Sequence, residues 1–214
     1  MLGVTAGNLI AFAITAVIVI AIPGPSVLFI VSRALGSGRR VAVLSVLGNT
    51  VGEYIQVIAV AFGIGAIAEQ SVALFTAMKL VGGLYLVYLG IKMFRERRSM
   101  PAAMEVVSGV ASDRQSFRQG VIVGVSNPKT VVFMAAILPQ FVTPAAGDVP
   151  AQILLLGLVF SMIAIASDTT WAFAAGALRA WFARSPRRME VIGGAGGLAI
   201  VAVGAGLLAS GRKP

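Results

Sequence analysis

Residues 8–31 read NLIAFAITAVIVIAIPGPSVLFIV, 24 consecutive residues without a charged side chain. A helix needs about 20 apolar residues to cross a bilayer's hydrocarbon core, so this stretch is long enough to span one. Residues 1–7 hold no Lys or Arg. The charged start of a secretory signal is therefore missing, and the stretch is expected to remain as a first transmembrane helix.

Five further apolar stretches follow, at 41–67, 72–91, 119–141, 151–178 and 190–210. Of the 214 residues, 58% are apolar and only 12% charged, with a mean hydropathy of +0.94. A soluble domain carries roughly 25% charged residues, so the surplus apolar surface needs lipid. The expected fold class is all-α: a polytopic membrane protein with six transmembrane helices in one domain covering 1–214.

There is no cysteine and no histidine. Disulfides, thiolate metal sites, haem attachment and imidazole catalysis are excluded, and no cofactor or metal is expected. No nucleophile–base pair is evident, so an enzyme is not expected.

The net charge of +9 does not point to nucleic acid, because the basic residues gather in alternate loops. Arg33, Arg39 and Arg40 follow the first stretch, and Lys92, Arg95, Arg97, Arg98, Arg114 and Arg118 follow the third. Arg179, Arg184, Arg187 and Arg188 follow the fifth. The other two loops hold Glu69 and Asp148 and no base. This is the positive-inside pattern. It places the basic loops in the cytoplasm and both termini outside. Arg212 and Lys213 then fall on the wrong side; a five-helix chain would move them inside but leave a long Gly/Ala-rich apolar stretch unexplained.

The two halves resemble each other. Lys79-Leu-Val-Gly82-Gly83 in the third stretch matches Glu190-Val-Ile-Gly193-Gly194 in the sixth, and Gly24-Pro25 in the first matches Asn127-Pro128 in the fourth. Three crossings invert a repeated unit, so these are two inverted three-helix repeats, about 8–94 and 119–210, around a cytoplasmic loop of about 95–118. Secondary transporters commonly carry such repeats.

Three features carry chemistry. Pro23-Gly24-Pro25-Ser26 removes backbone donors and is expected to break the first helix. Freed backbone groups within a membrane must face protein or a cavity, and a half-helix N-terminus suits a carboxylate; the plainer alternative is a packing kink. Asn127-Pro128-Lys129 fits a helix start, with Asn127 as cap and Pro128 in the first turn. Lys129 then either snorkels to the interface or is a buried cation facing a cavity. Glu53, with Asn49 one turn before it, and Asp168 are carboxylates inside apolar stretches. Such groups mark functional sites unless they form a structural salt bridge, for instance to Lys129, or face a water-filled vestibule. The patterns Gly48-x-x-x-Gly52 and Gly193-x-x-x-Gly197 let helices approach closely, within the chain or in a homodimer.

The order and spacing of four stretches resemble the LysE/RhtB family of bacterial amino-acid exporters. They are Ile22-Pro-Gly-Pro-Ser26, the run from Lys79 to Lys92, the run Asn127-Pro-Lys through Phe141, and the Gly-rich last helix. The resemblance implies export of a small amino acid across the bacterial inner membrane, driven by the proton motive force. It also implies substrate-binding roles for Pro23, Gly24, Pro25, Asn127, Pro128 and Lys129, and an acidic position at Asp168; Glu53 is less secured by it.

Together these features give a proton-coupled exporter. The substrate carboxylate is expected near Pro25 or Pro128, close to Ser26, Asn49 and Lys129. Its ammonium group is expected to face Glu53 or Asp168, whose protonation from outside would release it. The alternatives are a passive channel, or an exporter of another solute or a cation on the same scaffold.

Overall fold

The computed structural model describes residues 3–70, 72–98, 112–183 and 185–209. Helices account for nearly all of them, and no strand occurs among the described residues. The helices are α1 (Ala6–Ala21), α2 (Pro25–Ser37), α3 (Arg39–Gln70), α4 (Val72–Arg95), α5 (Asp113–Ser126), α6 (Pro128–Val132), α7 (Val149–Ala183) and α8 (Pro186–Ala209). After α6 the chain continues through a π turn, Phe133–Ile137, and a tighter 3-10 turn, Leu138–Phe141.

Three helical segments are long and apolar enough to cross a membrane: Arg39–Gly63, Val149–Ala177 and Glu190–Ala209. Two bent pairs also reach that length, α1 with α2 at 54° and α5 with the segment Pro128–Phe141 at 46°. The first expected stretch is therefore broken where its prolines lie. Pro23 and Pro25 supply no backbone N–H, so α1 stops at Ala21 and α2 starts afresh at Pro25.

The fourth stretch departs from expectation. A helix does start at Pro128 with Asn127 as its cap, but α5 precedes it and begins at Asp113, six residues before residue 119, so the pair divides the fourth span rather than opening it. Ser112 caps α5, its side chain accepting from the Gln115 N–H, and the polar turn after it stays helical. The expected loop of 95–118 thus ends at Ser112; residues 99–111 of it lie outside the described residues, as do Arg184, Arg212 and Lys213.

Several expected loop cations also lie on helices, because the helices run past the apolar stretches. Arg33 is on α2, Arg39 and Arg40 on α3, Lys92 and Arg95 on α4, and Arg114 and Arg118 on α5. Arg33 is moreover buried.

The outward faces are apolar: Ile10, Ile14, Phe62, Val81, Met162 and Val191 are all strongly exposed. A soluble monomer rarely exposes so much apolar surface; lipid accounts for it.

Glycines set the closest helix approaches. α3 packs along α5, and α4 along α8. A Cβ on Gly48 would collide with the Phe117 carbonyl oxygen, and one on Gly52 with that of Val121. Across the interface, a Cβ on Gly124 would collide with the Asn49 carbonyl oxygen. The small residues at 48 and 52 therefore serve contacts within this chain, and they press Asn49 against α5.

Candidate functional site

The two helix breaks meet inside the helix bundle, where Asn127 and Lys129 bond to Ser26, Val19 and Ile22. Pro23 has no N–H for the carbonyl of Val19, four residues before it, and Ile22 lies beyond the end of α1. Lys129, from the first turn of α6, supplies the missing donors. Its Nζ donates to the carbonyls of Val19 at 3.0 Å and Ile22 at 2.8 Å. The Gly24 backbone lies against this amino group, where a Cβ would stand 3.4 Å from Nζ. Pro23 and Gly24 are buried and Pro25 is exposed.

The second break repeats the logic. Pro128 leaves the carbonyl of Gly124 without its i+4 donor. Gln56 of α3 fills the gap, its Nε2 donating to the carbonyls of Gly124 at 2.8 Å and Val125 at 2.9 Å. Asn127 caps α6, its Oδ1 accepting from the Lys129 N–H at 3.1 Å.

A chain of buried amides and hydroxyls joins the two breaks to the carboxylates. Asn127 Nδ2 donates to Ser26 Oγ at 2.7 Å, and Ser26 Oγ donates to Asn49 Oδ1 at 2.9 Å. Asn49 Nδ2 then donates to Glu53 Oε1 at 3.1 Å and to Asp168 Oδ2 at 3.4 Å. Glu53, Lys129 and Asp168 are only 3%, 4% and 3% exposed. Glu53 Oε2 has no hydrogen-bond partner, and neither do Gln56 Oε1, Thr50 Oγ1 and Ser161 Oγ. Lys129 rests on carbonyls rather than on a carboxylate, so neither the snorkelling alternative nor the direct salt bridge describes it.

Chemically, the cluster offers a cation, two carboxylates and a bare helix N-terminus in one buried place. Gly24 caps α2 without a side-chain hydrogen bond, and the first N–H groups of a helix have no partner within it. That set matches a zwitterion: donors for a carboxylate, acceptors for an ammonium. Among the described residues no group of three or more acidic, His or Cys side chains could hold a metal ion.

A family model, the LysE type translocator, matches residues 17–211. The chain belongs to the LysE type translocator family. The homoserine/homoserine lactone efflux protein of Salmonella typhimurium (strain LT2) is 30% identical over 202 residues, 94% of this chain and 96% of that protein. An uncharacterized membrane protein of Vibrio cholerae is 34% identical over 149 residues, covering 70% of this chain and 71% of its own. The leucine efflux protein of Enterobacter sp. (strain 638) is 23% identical, covering 73% of this chain and 74% of that protein. No solved structure matches the chain. With its apolar helices, this LysE-type translocator is a multi-pass membrane protein.

In this translocator the structure brings together Ser26, Asn49, Glu53, Asn127, Lys129 and Asp168, with Pro23, Gly24, Pro25 and Pro128 shaping the two breaks. Sequence reasoning missed Gln56 and Thr130, whose hydroxyl donates to the Asn127 carbonyl at 3.1 Å. A signal for Gln56 was present: it lies seven residues after Asn49 on α3, hence on the same helix face.

Proposed function

We propose that this chain exports a small amino acid of the threonine, homoserine, leucine or lysine class across the bacterial inner membrane by proton antiport. The observation that carries this reading is the buried cluster at two helix breaks, where Glu53 keeps one carboxylate oxygen unpartnered beside Asn49, Asp168 and Lys129.

The substrate carboxylate sits at the N-terminus of α2, beside Lys129. The ammonium group takes the free oxygen of Glu53 and faces Asp168. A proton arriving from outside neutralises one carboxylate, weakens its hold on the ammonium group, and the amino acid leaves. Return of the emptied, protonated site to the cytoplasmic side delivers the proton inward. A cluster this well buried must be reached from one side and then the other, which is alternating access.

The fold supports two inverted three-helix repeats. In each proposed half the first helix is the broken one, at Pro23–Pro25 and at Asn127–Pro128. Inversion would relate the α3–α5 pairing to α7 with α1 and α2, and would map α4–α8 onto itself; all these pairs are in contact. Counting α4 with the three long segments and the two bent pairs gives the six spans of this reading; with them, the positive-inside pattern would put the basic ends in the cytoplasm and both termini outside, and the apolar outer faces leave room for a homodimer.

The test is a panel of labelled amino acids preloaded into cells that overproduce the chain. At least one is expected to leave faster than from control cells. Equal efflux of every member of the panel would sink the proposal.

A further inference from the structure

Arg33 differs from the other cations near the basic loops. It is 8% exposed, and among the described side chains it is the only buried arginine. No carboxylate of the described residues lies within ion-pair distance of it; its Nη2 donates to the neutral Oε1 of Gln119 at 2.6 Å. Its Nε is buried and has no hydrogen-bond partner. The Phe29 ring covers one face of the guanidinium at 5.3 Å, which leaves the donor edge as the part that can bind.

The placement is informative. Arg33 follows Ser26 by seven residues on α2. Two helical turns put both side chains on one face, about 10 Å apart along the axis. Both reach α5 or its cap: Ser26 meets Asn127 in the central cluster, and Arg33 meets Gln119 two turns nearer the Arg39–Arg40 end. A buried charge with only a neutral amide for a partner is costly to keep. A carboxylate docking on a guanidinium edge through two parallel hydrogen bonds would offset that cost.

We propose that Arg33 and Gln119 form a second carboxylate-binding site, where an outgoing amino acid docks its carboxylate before moving to the central cluster. This rests on the export reading above. Arg33 recognises the carboxylate; Gln119 holds the guanidinium with its edge free. Two turns of α2 are too far for one small amino acid to occupy both sites at once, so they are used in sequence.

The test uses the full chain in nanodiscs, with arginine labelled by nitrogen-15. The Nε–H resonance of Arg33, recognised by its loss in Arg33→Lys, is expected to move on titration with L-threonine and to stay in place with L-threoninamide. Gln119→Glu supplies an internal carboxylate to the guanidinium. It is expected to abolish the response and, in proteoliposomes, to raise the KM for efflux about tenfold with Vmax within about twofold. A resonance that ignores threonine, or moves equally with the amide, overturns the site. So does one that moves only when phosphatidylglycerol replaces phosphatidylcholine, because the ligand is then a headgroup phosphate. A response to threonine in a chain that exports nothing would uphold the carboxylate site and sink the export reading instead.

Discussion

Replacing Lys129 with methionine keeps most of the side chain's volume and removes the donor that holds the first break. Two buried carbonyl oxygens, on Val19 and Ile22, lose their partner. Each orphaned buried acceptor costs about 1–3 kcal/mol, so the direct loss is about 2–6 kcal/mol. Removing the ammonium also removes its own desolvation cost, which offsets part of that loss. The net expectation is about 2–3 kcal/mol, near the lower end. For a chain of this size about 2–4 °C of melting temperature goes with each kcal/mol, so the midpoint should fall by about 4–12 °C. Thermal unfolding in detergent measures the shift, and efflux of labelled L-threonine or L-homoserine from proteoliposomes made with the same protein measures function. Export should be lost even at temperatures where the variant is fully folded, because the carboxylate has lost its cation. A Lys129→Met protein that melts like the wild type and exports at the wild-type rate would refute both the structural and the functional role of this lysine.

Three further outcomes follow from the same geometry. Glu53→Gln keeps an acceptor for Asn49 but removes the charge; it should fold normally and lose export driven by a pH gradient, read as labelled efflux with and without the gradient. Gly124→Ala places a methyl group against the carbonyl oxygen of Asn49. Overpacking of this kind costs about 1–3 kcal/mol, and by displacing Asn49 it should also reduce export, so melting and efflux should fall together. Arg40→Ala breaks the 2.6 Å ion pair with Asp113, whose side chains are 82% and 50% exposed. Surface pairs contribute about 0–1 kcal/mol, so the melting midpoint should hardly move, and a large drop would show that this pair does more than the structure indicates.

Much of the fold was legible in the sequence because membrane helices advertise themselves by length and apolarity. The break in the first helix was legible for a simple reason: Pro23 and Pro25 cannot donate. The bend at Asn127-Pro128 was harder to see. A capping asparagine before proline marks the start of α6 but does not reveal the helix before it, and the polar turn at 113–118 looks like loop until Ser112 is seen to cap it. Arg33 was assigned to a loop because charge alone marks loops in a membrane protein; only burial against α5 shows otherwise. Within the site, Asn49 and Glu53 were legible as an i, i+4 pair on one helix face. The meeting of Ser26, Asn49, Asn127 and Asp168 was not, since it joins four segments far apart in sequence. One part of the site is derivable from the sequence. Pro23 and Pro128 each deny an i+4 donor to a known carbonyl, Val19 and Gly124, the latter keeping only a 3.4 Å bond from the Asn127 N–H. Buried donors able to satisfy these two carbonyls could have been sought among the few polar residues of the apolar stretches, where Lys129 and Gln56 stand.

Export through this cluster is tested most directly in proteoliposomes that contain the purified chain alone. They are loaded with labelled L-threonine or L-homoserine at the same concentration as outside, and a pH gradient is imposed across the bilayer. Proton antiport predicts net movement of the amino acid against the proton flow, creating a concentration difference that collapses when a protonophore is added and is absent with Glu53→Gln or Asp168→Asn. Movement that only equalises concentrations, whatever the pH gradient, would contradict the antiport mechanism. No movement of either amino acid beyond that in empty vesicles would contradict their export through the cluster.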